Sequence, residues 1–392
     1  MLRPNFTKPR IVAIFATVVV LHLIVGHYFG SDIKFLLGTR VLSDIESNCT
    51  PTTLPIVSTP TSQYNASSDT IPNIVHYVWL LNGREHFSLD FKTFISVYSA
   101  SVYFQPDTIY IHTDATPAQW DYAKTQGDDY TRWTLSIPSV THNRVSTLNH
   151  TLSCRRILKI EHKSDFVRTQ QLHRYGGVYM DTDVIPLRDV KVLRESGFAN
   201  VMGIEMRGRI NNGLMVGRPG SALLSIFMSE QHRVFDNRWT THSVELLSTL
   251  AYRLQAVPAE VLILGIQAFT PSGWKKSDIE ALFTPHTETE EVSRGDGSLL
   301  EIPTSFQDAA DYWNGSEWEG RAEWEVDYSG SYAIHAFDGK PEGYWPKRVD
   351  LEYVMARQSN YARAVYPAVK HAVDAGIINR KLMDNDGRSV ER

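Results

Sequence analysis

Two aspartates one residue apart, Asp181 and Asp183, close the stretch of this 392-residue chain most suited to chemistry, SDFVRTQQLHRYGGVYMDTD from Ser164 to Asp183. A D-x-D pair at a strand end holds two hard oxygen ligands about a side chain apart, which suits a divalent cation bound to a diphosphate. The residues before the pair read as a helix, a glycine break and a short strand. Ser164 is a natural N-cap, Asp165 suits a first turn, and Gly176–Gly177 supplies a left-handed stop. Asp165, Arg168 and Leu172 then share one helix face at spacings of three and four. Beyond the glycines, Val178 and Met180 should point one way and Tyr179, Asp181 and Asp183 the other, for as long as the strand stays extended.

A bare D-x-D is a weak signal, because two carboxylates on a loop are ordinarily solvated. The whole string is specific. It resembles the S-D-x-x-R-x-x-x-L-x-x-x-G-G-x-Y-x-D-x-D signature of the DXD sugar-binding glycosyltransferases, glycosyltransferase family 32. Every fixed position is filled, by Ser164, Asp165, Arg168, Leu172, Gly176, Gly177, Tyr179, Asp181 and Asp183. The resemblance implies an α/β fold of GT-A type, a nucleotide-sugar-binding, Rossmann-like domain. It also implies retaining transfer of a hexose from GDP-mannose or a UDP-sugar, with Mn²⁺ on Asp181 and Asp183; ligand type alone would also admit Mg²⁺ or Ca²⁺.

The same resemblance assigns further roles. Arg168 should lie near the donor phosphate or sugar, Asp165 on a sugar hydroxyl, and Tyr179 in the donor site. His76 and Trp79, in IPNIVHYVWL, fall where the family's IP-x-I-I-H-x-x-W opening approaches the nucleotide. His335, in SYAIHAFDGKPEGYW, is the candidate third metal ligand, and Lys340 could neutralise the leaving group. Glu205, Asn211 and Asn212, in GIEMRGRINNGLMVG, sit where the family places residues around the acceptor and the reacting sugar face. Taken as residues alone, these positions keep plainer readings. Asp165 and Arg168 form an i,i+3 pair, Trp79 suits a packed strand, and Asn212–Gly213 suits a tight turn. His335 suits a half-buried strand, and Lys340 a solvated surface. The chain departs from the family in its last third, where LILGIQAFTP replaces a T-G-P triplet and Tyr344–Trp345 replaces an S-W element. The resemblance therefore spans roughly residues 71–345.

Charge and composition bound the alternatives. Lys plus Arg number 39 against 44 Asp plus Glu, a net charge of −5, which argues against a nucleic-acid partner. Residues 11–29, IVAIFATVVVLHLIVGHYF, carry no Asp, Glu, Lys or Arg and as a helix would reach about 28 Å, one hydrocarbon core. Arg3, Lys8 and Arg10 precede this run, so the positive-inside bias predicts a cytosolic tail (1–10), a signal anchor (11–29) and a luminal remainder. A cleaved signal peptide is the alternative, but no small-x-small cleavage site follows.

Residues 30–70 read as a stem, dense in Ser, Thr and Pro from 50 onward. The GT-A domain should occupy 71–375, with a polar tail at 376–392. N-x-S/T sequons at Asn48, Asn65, Asn149 and Asn314 agree with passage through the secretory pathway, and so with a Golgi or ER membrane protein of type II. Cys49 and Cys154 are the two cysteines; they could pair in an oxidising lumen or stand as independent thiols.

Strand and helix patterns alternate through IPNIVHYVWL, FKTFISVYSASVYFQP, TIYIHTDA, the signature, FANVMGIEM, GLMVG, SALLSIFMSEQHRV and SVELLSTLAYRLQAV. That alternation predicts a mostly parallel sheet with ligands at the carboxyl ends of its strands. The expected activity is metal-dependent transfer of a hexose to a glycan, lipid or small-molecule acceptor. Two other readings stand beside it. A haloacid-dehalogenase-type phosphotransferase also uses D-x-D after a strand, but needs Thr or Val where Ile185 stands and no Gly–Gly. An inactive glycan-binding scaffold could keep the fold, although intact Asp181 and Asp183 speak against it.

Overall fold

The computed structural model describes residues 70–287, 322–337 and 349–378. The principal elements are β1 (Ile74–Val78), α1 (Phe91–Tyr103), β2 (Thr108–Thr113), α2 (Pro117–Gln126), α3 (Asp129–Ser136), β3 (Val140–Arg144) and α4 (Ile160–Tyr175). They continue with β4 (Gly177–Met180), β5 (Val184–Pro186), β6 (Asn200–Ile204), β7 (Ile210–Gly217), α5 (Ala222–Val234) and α6 (Leu246–Leu254). Last come β8 (Val261–Leu264), α7 (Lys276–Phe283), β9 (Ala333–His335) and α8 (Asn360–Asp374).

Seven strands form one sheet in the order β3-β2-β1-β4-β7-β6-β8. β7 alone among them runs against its neighbours, and all other pairings are parallel. This is the mostly parallel α/β sheet that the alternating pattern predicts. β5 and β9 form a separate antiparallel pair. The core lies on both faces of the sheet, and β4 shows why. Val178 and Met180 pack into one apolar cluster with Phe94, Val184 and Leu214. Tyr179 points to the other face, into a cluster with Leu172, Met215 and Phe227. A central parallel strand buried on both faces must be apolar throughout, and β4 is.

The elements differ from the sequence pattern in two places. α4 begins at Ile160, with Lys159 at its N-cap, so Ser164 is inside the helix and Asp165 is beyond the first turn. Extended backbone also ends at Met180. A turn with Val184 N bonded to Asp181 O at 3.0 Å carries the chain from the large sheet to the small one. Asp181 and Asp183 lie on that turn, not along a continuing strand.

The glycine break is a close-packing requirement. Gly176 has φ +65° and Gly177 φ +111°. A Cβ on Gly177 would stand 2.2 Å from the carbonyl oxygen of Ile74, and one on Gly176 would stand 2.4 Å from Pro219 Cδ. His76 is fully buried beside them and bonds the Gly176 carbonyl at 2.6 Å through Nε2. A carbonyl only accepts, so Nε2 carries the proton and Nδ1 takes one from His112 Nε2, 2.9 Å away. His112 Nδ1 in turn accepts from Asn143 at 2.7 Å. This relay ties β1, β2 and β3 to the end of α4.

The expected cytosolic tail, anchor and stem, residues 1–69, lie outside the described residues, as do Asn48, Asn65, Asn314, Lys340 and Tyr344–Trp345. Among the described residues no helix is long and apolar enough to cross a membrane. Cys154 is buried and disulfide-bonded; Cys49 is outside the described residues. Asn149 is exposed on the loop that this cysteine fastens.

Burial pushes His76 and His232 down to about 4, and His112 is lowered further by burial and by the charge of His76. In the unfolded chain each would take a proton near pH 6.5, so the unfolded state binds more protons as pH falls. Stability should therefore be full above about pH 6.5 and fall toward pH 4, by about 3 kcal/mol for each of His76 and His232 once fully titrated, with His112 adding in the same direction. Urea unfolding at intervals from pH 7 to pH 4 measures this; a flat profile would contradict buried, neutral histidines.

Candidate active site

The carboxyl ends of β1 and β4 open on the same edge of the sheet. Their register pairs Val75 with Val178 and His76 with Tyr179, so Trp79 and Asp181 both follow just beyond the paired strands. Asp181 is held from three directions. Its backbone N–H bonds the Gly213 carbonyl at 2.7 Å, Tyr179 donates its hydroxyl to Oδ1 at 2.5 Å, and Arg168 Nη1 is 3.1 Å from Oδ1. Asp183 meets His335 through the small sheet, where β5 and β9 pair Val184 with His335. Ala336 N bonds the Asp183 carbonyl at 2.9 Å, and His335 Nε2 is 3.4 Å from Asp183 Oδ1.

Ligand atoms of Asp181, Asp183 and His335 all lie within 4.8 Å of one another, which makes them a candidate divalent-metal site. Two further observations fit a bound cation. Gly213 leaves the room: a Cβ there would stand 2.5 Å from His335 Cε1 and 2.9 Å from Asp181 Oδ2. The electrostatics point the same way. Burial, with the charge of Asp183, holds Asp181 above the ordinary carboxylate range despite the pull of Arg168. Burial alone would lower His335, but Asp183, Asp181 and Glu205 carry it above its ordinary value. The pocket has more negative charge than its own side chains balance.

Arg168 joins this cluster to a second one. Its Nη2 is 3.3 Å from Asp165 Oδ1, and its Nη1 also donates to the Asn212 carbonyl at 2.9 Å. The guanidinium lies over the Tyr179 ring, 4.7 Å from its centroid. Asn212 Nδ2 donates to Asp165 Oδ1 at 3.1 Å, and His242 Nε2 to Oδ2 at 3.0 Å. Burial would raise Asp165, yet Arg168 and His242 hold it below the ordinary carboxylate value, so it is an anion. α4 buries His162, Asp165, Arg168, Thr169 and Gln171 together, an unusual polar load for a packed helix.

The other sequence candidates sort themselves by position. Glu205 follows β6 directly and accepts from Asn211 Nδ2 at 2.9 Å, while Asn211 Oδ1 accepts from Gly213 N at 2.8 Å. Asn212 and Gly213 are on β7, not in a turn; the hairpin loop is 205–209. Trp79 is half-buried at the strand end, with Arg84 5.5 Å from its ring centroid. His76 and Tyr179 do not line the cleft: both are buried, one fixing the Gly176 carbonyl and the other Asp181. Arg168, 7% exposed, is committed to protein partners and bridges the Asp165 and Asp181 carboxylates. Gly213 and His242 escaped the sequence reading. No spacing marks either, because a strand glycine gives no local signal and His242 is 77 residues from its partner.

Residues 94–200 match the family described as "Glycosyltransferase sugar-binding region containing DXD motif". That span takes in most of α1, all of α4 and β4, and the Asp181–Asp183 pair. The chain carries a glycosyltransferase sugar-binding region with a DXD motif. Glucan organizing enzyme 1 of Cryptococcus neoformans var. grubii serotype A is 21% identical over 314 residues, 76% of this chain and 71% of that protein. Among solved structures, PaToxG glycosyltransferase is 16% identical with a TM-score of 0.34, over 48% of this chain and 70% of its own. The apo form of the glycosyltransferase GlyE from Streptococcus pneumoniae TIGR4 is 9% identical with a TM-score of 0.38. It is matched over 78% of this chain and 64% of its own. The phosphotransferase reading falls with the family match.

The close approach at Gly213 generates a prediction for this glycosyltransferase. Gly213→Ala should displace His335 or Asp181 and raise the Mn²⁺ concentration for half-maximal activity at least tenfold. Asp181→Ala or Asp183→Ala should cost about a thousandfold in rate, for ~4 kcal/mol of lost transition-state stabilisation. Metal titrations of sugar-nucleotide turnover measure both; a Gly213→Ala titration that overlays wild type would remove the three-ligand assignment.

Proposed function

We propose that this chain is a membrane-anchored, retaining, Mn²⁺-dependent hexosyltransferase of the Golgi or ER lumen. The observation that carries the chemistry is the Asp181–Asp183–His335 cluster beside an Arg168 that is already paired. Two carboxylates and an imidazole suit Mn²⁺ better than Mg²⁺, which prefers oxygen and water. The ion would neutralise a nucleoside diphosphate as its bond to the sugar breaks. Asp165 is the anionic acceptor suited to a sugar hydroxyl, Trp79 stands at the strand end suited to the nucleotide, and the mutually bonded Glu205 and Asn211 are the candidates for the acceptor side. The donor is GDP-mannose or a UDP-sugar. The name of the Cryptococcus relative supports a glycan acceptor.

The secretory reading is supported by the uncharged run at 11–29, the basic residues before it, the sequon at exposed Asn149 and the disulfide at Cys154. Protease treatment of intact microsomes should spare the chain beyond about residue 30, and glycosidase should lower its mass. Degradation of that region in sealed vesicles would refute the topology.

The activity is tested by incubating the detergent-solubilised full-length chain and Mn²⁺ with GDP-mannose, UDP-galactose, UDP-glucose and UDP-N-acetylglucosamine, scoring sugar release. One donor should be hydrolysed far faster than the rest, and chelation should stop it. Since a raised His335 takes up a proton at higher pH than a free histidine, metal affinity should weaken as pH falls toward 6.5 and below. His335→Ala should bind Mn²⁺ more weakly and lose that pH dependence.

A further inference from the structure

Asp165 offers a counting argument. An ionised carboxylate has roughly four acceptor positions, two on each oxygen. Oδ1 faces Arg168 Nη2 at 3.3 Å and Asn212 Nδ2 at 3.1 Å, which fills it. Oδ2 takes one bond, from His242 Nε2 at 3.0 Å. One acceptor position remains, and its direction is set by where His242 holds Oδ2.

His242 is built to hold it. The residue is completely buried on a π-helical turn, Thr241–Glu245, whose Ser243 leaves helical geometry (φ −112°, ψ −106°). Such turns add a residue to a helix and re-aim a side chain. The turn is pinned by Thr240 Oγ1 donating to Glu245 at 2.7 Å and Thr241 Oγ1 donating to Asp236 at 3.2 Å. The imidazole is stacked on Phe166 with an interplanar angle of 13°. Phe235 and His162 close on it edge-on, each with a centroid 4.8 Å away. Asp165 can only accept, so the Nε2 proton is fixed, and Nδ1 has no hydrogen-bond partner. A buried ring nitrogen left unpaired is costly, and a core position would be better filled by Phe or Leu. The cost is intelligible if the Nε2–H bond serves the site.

We infer that His242 is a positioning residue that aims the open acceptor position of Asp165 Oδ2 at a hydroxyl of the donor sugar. The inference rests on the proposed glycosyltransferase reading and names the residue that sets sugar recognition within it. Holding a polar group within a fraction of an ångström of its productive place is worth large factors in rate. A site that hydrogen-bonds a hydroxyl also discriminates strongly against an analogue lacking it.

The experiment compares full-length wild type, His242→Leu and His242→Gln, using whichever of the four sugar nucleotides the wild type turns over and the matching nucleoside diphosphate. Glutamine can present an N–H near the place of Nε2; leucine cannot. His242→Leu should lower kcat/KM ten- to hundredfold, and His242→Gln should recover most of it. Inhibition by the nucleoside diphosphate alone, which carries no sugar, should stay within twofold in both variants. Equal losses for the sugar nucleotide and the bare diphosphate would overturn the inference, because they mark a merely structural histidine. So would full activity in His242→Leu, or no recovery in His242→Gln. A wild type that turns over none of the donors would remove the function reading itself, and this inference with it.

Discussion

A guanidinium buried between two carboxylates is the constraint on which the site depends. Arg168 reaches Asp165 with one nitrogen and Asp181 with the other, and its Nη1 also meets the Asn212 carbonyl. A planar fork can satisfy such partners together; an ammonium of a lysine has neither the shape nor the weak hydration for it. Taking these charges from water is costly, and only good geometry with additional hydrogen bonds offsets the cost. Those additional bonds are present, from Tyr179 to Asp181 and from Asn212 and His242 to Asp165. One side chain thereby locks α4, the end of β4 and β7 into a fixed arrangement.

The second constraint is topological. The triad comes from the turn after β4 and from a strand about 150 residues later, joined only because β5 leaves the large sheet to pair with β9. Gly213, on antiparallel β7, bonds Asp181 N through its carbonyl and has no side chain to intrude between Asp181 and His335. The backbone approaches the site as closely as the absence of a Cβ permits. Below, the His76–His112–Asn143 relay holds the glycine break from which β4 begins. The placement of two carboxylates thus rests on buried polar bonds spread across four adjacent strands.

Much of this was legible in the residues because it is local. Asp165, Arg168 and Leu172 share a helix face, the Gly–Gly break is where the signature implies, and β4 alternates as a strand of period two should. The α/β alternation gave the sheet for the same reason. What escaped was set by contacts distant in sequence. Ser164 has the chemistry of a cap, but α4 starts a turn earlier because His162 packs against Phe235 and His242. Asn212–Gly213 has the composition of a hairpin turn, yet β7 pairing with β4 and β6 draws it into a strand. His76 and Tyr179 stand at the expected places along the chain, and only the fold reveals that they face inward to support the residues beside the cleft.

The balance of charge separates the two halves of the cleft. On the Asp165 side, Arg168 and His242 more than offset burial, and the carboxylate is held as an anion. On the Asp181 side the same arginine does not suffice, and burial with the neighbouring Asp183 raises Asp181 above the ordinary carboxylate value. His335 compensates by its own tendency to protonate, which Glu205 reinforces. The first half is complete as a hydrogen-bond acceptor for a neutral hydroxyl. The second would gain stability from positive charge, because a divalent ion held by Asp181, Asp183 and His335 would favour their deprotonated forms. Asp181 and Asp183 would repel a diphosphate that arrived alone and attract one that arrived with a divalent cation. An acidic cleft can therefore serve an anionic donor, provided that the cation and the diphosphate are bound as one unit.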